Sequence, residues 1–169
     1  MMNNYNLDFS LVAIGGSLTE RQTTDKILAC NEELRKHGLV LTEQQALELT
    51  QTRTNALKES KRIELNGSIV DKLILAFCNS PYINKDTYED TFHELINLFY
   101  DLKNNTWDTI SDDDVIEFMK NAFNNRCHGS LELLSGEALR LSEHIHCGKT
   151  IKTFKEIFLN QYYYPRLDL

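Results

Sequence analysis

Proline is scarce in this chain, with two residues in 169, Pro81 and Pro165, and glycine is little commoner at seven. From Tyr82 to His128 neither occurs. Such long stretches without breakers, carrying apolar residues three and four apart, predict helices. Long apolar runs are also missing. Nothing approaches the roughly 18 residues that would span a membrane. The N-terminus lacks a cationic region, and its apolar stretch from Phe9 to Ile14 is short for a signal peptide. Basic residues are outnumbered, 18 to 25, for a formal charge of −7. Nucleic-acid binders draw affinity from a basic face, so this balance opposes that class. The one basic patch, Arg53, Lys58, Lys61 and Arg62, falls in the last turns of a predicted helix, where cations suit the negative dipole end. The reading is a cytoplasmic protein with no nucleic-acid or membrane partner. Its four cysteines, Cys30, Cys78, Cys127 and Cys147, are then expected as reduced thiols.

What is present is ordinary globular composition, 41% hydrophobic and 25% charged, which excludes disorder. The apolar spacing predicts a first helix from Thr19 or Glu20 to His37, closed by Gly38 in a left-handed cap. Thr42 and Gln45 fit a capping box opening a second, largely solvated helix. That segment ends at Asn66-Gly67, and Ser68 can cap a third, buried helix carrying Ile69, Val70, Leu73, Ile74 and Phe77. Ser80-Pro81 stops it. Tyr88, Phe92, Leu95, Ile96, Phe99 and Leu102 form the apolar face of a fourth. Ser111 with Asp112, Asp113 and Asp114 suits the N-terminus of a fifth. A sixth, interrupted at Ser135-Gly136, covers Leu131 to Cys147, and a last runs from Thr150 to Asn160. The alternation of Leu7, Phe9 and Leu11 predicts a short extended N-terminal segment. The expected fold is all-α: one domain over residues 1–169, with six or seven helices.

Several motifs nearly fit a chemistry. Gly148-Lys149-Thr150 ends like a phosphate-binding loop, but Glu143 stands where that loop needs glycine. His93-Glu94-Leu95-Ile96-Asn97 has asparagine in place of the second zinc-protease histidine. Asp90 with His93, and Glu143 with His146, have di-iron spacing. The first pair lies more than about 100° around the helix from the apolar stripe, and is expected to point outward. No nucleophile elbow occurs. Asp112–Asp114 with Glu117 could hold a cation, although the helix cap explains them better. The densest group of ligand types is Cys127, His128, His144, His146 and Cys147, which could close a zinc site. In a continuous helix His144 and His146 diverge by about 200°, so such a site requires unwinding near Gly148. The C-terminus carries Tyr162, Tyr163, Tyr164, Arg166 and Leu167. Tyrosine and arginine are interface-enriched types, and the segment either packs on its own domain or meets a partner protein or a second copy.

Three stretches carry a resemblance: LTEQQALEL at Leu41–Leu49, LILAFCNSPYI at Leu73–Ile83, and VIEFMKNAFN at Val115–Asn124 with Gly129-Ser130-Leu131-Glu132 after it. Together they resemble a family of small helical proteins of Gram-positive bacteria, classified only as a domain of unknown function. The resemblance spans Leu39 to Gly136 and implies a bacterial cytoplasmic protein. It supplies no catalytic residue, cofactor or substrate.

With no coherent catalytic constellation, the leading expectation is a non-catalytic protein-interaction or self-association module without a cofactor. The alternative is a small-molecule or metal-binding protein, with zinc near Cys127, His128, His144, His146 and Cys147.

Overall fold

The computed structural model describes residues 6–64 and 69–160, and every regular element among them is helical. Eight helices are present there: α1 (Asn6–Ala29), α2 (Asn31–Leu34), α3 (Glu43–Glu59), α4 (Val70–Phe77), α5 (Tyr88–Asn105), α6 (Asp112–Asn125), α7 (Leu131–His146) and α8 (Ile151–Asn160). All but α2 are eight residues or longer. Among the described residues, no helix is long and apolar enough to cross a membrane.

Most helix ends follow local chemistry legible in the sequence. Thr42 and Gln45 close the capping box reciprocally. Gln45 N donates to Thr42 Oγ1 at 3.2 Å, and Thr42 N donates to Gln45 Oε1 at 2.9 Å. Ser111 Oγ accepts from Asp114 N, and Ser130 Oγ from Leu133 N, each at 3.2 Å. Gly38 takes φ +74, and a Cβ built there would stand 2.7 Å from Lys85 Nζ. The left-handed φ is what favours glycine here, since the tip of the Lys85 side chain can move aside.

Two local expectations are corrected. The backbone is helical from Asn6, where the alternation of Leu7, Phe9 and Leu11 predicted an extended segment. Three apolar residues do not fix a period, since Leu7 and Leu11 are also one helical turn apart. The sixth predicted helix, α7, runs unbroken through Ser135-Gly136. One mid-helix glycine costs only about 1 kcal/mol. Buried Leu134, Ala138, Leu141 and Ile145 flank it on a continuous apolar face that offsets the cost. Asn66, Gly67 and Ser68, read as a helix stop and a cap, lie outside the described residues.

Chain contacts divide the molecule into two compact units, with the boundary inside α5 between Asn97 and Leu98. In the first, α1 packs on α3 and α4, and α3 also touches α4. Ile27, Leu34, Leu49, Val70, Ile74, Phe77, Phe92 and Leu95 are buried there. Two side chains hold the loop after α2: buried Asn31 donates Nδ2 to Leu41 O and accepts from Leu41 N at Oδ1, both at 2.8 Å, and Tyr88 donates its hydroxyl to Val40 O. Arg53, read from sequence as part of a local basic patch, is 2% exposed. Its Nε and Nη2 donate to Glu64 Oε2 at 3.0 and 2.6 Å. A buried guanidinium needs such a partner.

In the second unit α7 packs against α6 and α8. Phe99, Tyr100, Val115, Met119, Phe123, Leu134 and Leu141 are buried. Lys103, 3% exposed, donates to Ile110 O at 2.5 Å and faces Asp108 Oδ1 at 2.5 Å and Asp112 Oδ1 at 2.8 Å. Three acceptors meet the three donors of one ammonium. That arrangement fixes the turn in which Trp107 and Asp108 adopt φ +50 and +58, conformations that cost non-glycine residues roughly 1–3 kcal/mol each.

Candidate metal centre

The acidic run at the start of α6 is absorbed by ion pairs. Asp112 serves Lys103. Asp114 and Glu117 bracket Lys155 of α8 at 3.1 and 2.7 Å. The hydrogen bond from Ser111, and then Lys155, hold the Asp114 carboxyl below its ordinary range. Ser111 caps α6, and Asp112, Asp113 and Asp114 occupy its first turn.

The C-terminal His/Cys residues are placed apart in role. Cys127 is buried, and desolvation, reinforced by the Glu137 charge, pushes its thiol up. His128 takes φ +47 in the turn before α7. His144 Nε2 lies 2.9 Å from Thr153 Oγ1. His146 Nε2 lies 2.5 Å from Asn105 O, and its ring stacks on Trp107 at 4.4 Å. Cys147 is exposed at the end of α7, and Gly148 terminates that helix with φ +75. None of the five belongs to a set of three His, Cys, Asp or Glu side chains whose ligand atoms lie within 4.8 Å of one another among the described residues. Tyr162, Tyr163, Tyr164, Arg166 and Leu167 lie outside those residues.

One such set is present, in the first unit: Glu48, Glu89 and His93. Glu48 comes from α3, and Glu89 and His93 come from α5. On α5 the pair is spaced i, i+4 and shares a face. On α3, Gln45, Glu48 and Thr52 at i, i+3 and i+7 form the facing row. Each contributor has its own restraint. Gln45 Nε2 donates to Glu89 Oε2 at 2.7 Å, so the capping-box residue also steadies a carboxylate of the site. Gln44 Nε2 donates to Glu48 Oε1 at 2.7 Å. Thr52 Oγ1 lies 2.7 Å from His93 Nδ1. His93 Nε2 lies 3.9 Å from Glu89 Oε1, and both side chains are about one quarter exposed.

This corrects the expected outward orientation of His93. The wheel angle measured its distance from the apolar stripe, but α3 supplies a polar row that the angle could not see. Asp90 is exposed as expected, so the Asp90/His93 di-iron pairing does not form. Sequence reading missed Glu48 and Glu89 because the signal is split. Each helix alone carries an ordinary charged face, and only their pairing gathers three ligands.

Two carboxylates and an imidazole are suitable ligands for a divalent transition cation. Ligands at about 2.0–2.2 Å around a tetrahedral ion lie about 3.3–3.6 Å apart. The His93–Glu89 separation of 3.9 Å and the limit of 4.8 Å for the set reach that range by side-chain adjustment, for which Glu48, the exposed member, is the freest.

No curated protein and no solved structure matches the chain. A model of a family of unknown function, DUF6323, matches residues 26–160. The match includes all three residues of the Glu48/Glu89/His93 set and extends beyond the recognised stretch, over the His/Cys residues of α7. The chain therefore belongs to that family of unknown function, DUF6323.

Proposed function

We propose that this is a helical metal-binding protein that takes one divalent cation at Glu48, Glu89 and His93. The observation that carries this reading is the convergence of three ligand atoms from two helices within 4.8 Å. The restraints from Gln45 and Thr52 add to it, since outer-shell hydrogen bonds orient metal ligands. Native mass spectrometry of chelator-treated protein with added Zn2+ tests it. One zinc per chain, lost in His93→Ala and Glu89→Gln, is expected. Equal zinc uptake by these variants, or none by the wild type, contradicts the reading.

A second reading, a non-catalytic interaction or self-association module, rests on Trp107. This tryptophan is 67% exposed on a turn that Lys103 fixes. A rigid exposed aromatic is the type of side chain that anchors protein interfaces. If Trp107→Ala leaves unchanged the partner retention or self-association seen by sedimentation, that reading falls. We place the protein in the bacterial cytoplasm. The family resemblance supports this.

A further inference from the structure

Resting on the metal-binding reading above, we infer that Thr52 is the positioning residue of the site. It turns His93 Nε2 toward the cation and so fits the site to a first-row transition ion of the zinc and cobalt class. The argument is a count of protons. A threonine hydroxyl has one proton. A helical threonine commonly gives that proton to the carbonyl four residues back, and Thr52 Oγ1 lies 3.2 Å from Glu48 O within α3. With the proton so placed, the contact with His93 Nδ1 at 2.7 Å has the ring as donor and the hydroxyl as acceptor. Nδ1 carries hydrogen, and the neutral ring presents a lone pair at Nε2. That is the nitrogen directed at Glu89 Oε1. The α3 backbone thus selects the tautomer through one hydroxyl. This is the relation by which outer-shell partners fix a ligating imidazole. An imidazole held this way favours a borderline transition ion, whereas magnesium and calcium are served by oxygen ligands.

The test uses the full chain, freed of metal, with Zn2+ and Mg2+ as probes. Isothermal titration with Zn2+ compares wild type, Thr52→Val, Thr52→Ser and His93→Ala. Nitrogen NMR of the histidine rings reports the tautomer, with His93→Ala identifying the His93 signals. Thr52→Val is expected to weaken zinc binding about 10- to 100-fold and to shift His93 away from the Nδ1–H tautomer. Thr52→Ser, which keeps the hydroxyl, is expected to bind like wild type, and the helical circular dichroism of all variants to remain. If His93→Ala weakens zinc but Thr52→Val leaves both affinity and tautomer unchanged, the positioning role is overturned while the metal reading survives. If His93→Ala binds zinc like wild type, the metal reading itself falls. Magnesium binding that depends on His93 as strongly as zinc binding does would overturn the assigned ion class.

Discussion

Oγ1 of Thr52, in the middle of α3, lies 2.7 Å from Nδ1 of His93 on α5. This contact joins two helix faces that separately look like ordinary solvated surface. It also decides which nitrogen of the ring meets Glu89. The proposed chemistry of the first unit depends on that pairing.

The three buried cysteines should be inert. Burial, followed by the nearby Asp71 charge, pushes the Cys30 thiol up to about 12, and Cys127 is pushed up for the same first reason. Thiolate is the reactive form, so raised values mean slow alkylation at neutral pH. Cys147 is exposed. Native protein treated with a thiol reagent at pH 7.5 is therefore expected to label at Cys147 first, and at all four positions after denaturation. Mass spectrometry showing rapid native labelling of Cys30 would contradict the packing described for it.

Asn31→Ala should be costly. It removes two buried hydrogen bonds of 2.8 Å and strands both polar groups of Leu41. Each such loss is worth roughly 1–3 kcal/mol, and exposure of the turn recovers part of it, so about 2–3 kcal/mol is expected. Urea unfolding reads this directly. A change under about 0.5 kcal/mol would mean that the clamp is dispensable.

Lys103→Met should destabilise the second unit by about 2–3 kcal/mol. Breaking a buried pair typically costs 3–5 kcal/mol, but Asp108 and Asp112 are about half exposed and can rehydrate. The turn bearing Trp107 and Asp108 in left-handed geometry should loosen with it. Since Trp107 is the only tryptophan, its fluorescence anisotropy should fall in the variant. Unchanged stability and anisotropy would show that Lys103 does not hold the turn.

The docking of α8 should weaken in acid. Asp114 is held below its ordinary value of 3.8, first by Ser111 and then by Lys155. A carboxyl depressed in the folded state adds stability above its unfolded value and loses it as pH falls through the folded one. The Lys155→Ala penalty should therefore be present at pH 6 and begin to shrink below about pH 4. The side chains are 30–44% exposed, so solvent screening keeps that penalty under about 1 kcal/mol. A penalty constant from pH 6 to pH 3 would show that Asp114 does not contribute.

Much of the fold could be read from local signals. The capping box at Thr42, the left-handed glycine at position 38 and the apolar faces of α4 to α6 each depend on residues within one or two turns. Gly136 and the first turns of α1 were misread because a single glycine or three alternating residues leave the neighbouring pattern to decide. The burial of Arg53 depended on Glu64, eleven residues away. The candidate site was the least legible, because the described Glu48 and Glu89 meet across 41 positions and no periodicity links them. The conspicuous His/Cys run was close in sequence, yet along a continuous helix adjacent ligands point apart.

The most direct test of the metal centre is a crystal structure of zinc-loaded protein with anomalous diffraction collected at the zinc edge. The account predicts one strong peak in each chain about 2.0–2.2 Å from His93 Nε2 and from oxygens of Glu48 and Glu89. A peak at Cys127, His144, His146 or Cys147 instead, or no peak at the three residues, would contradict it.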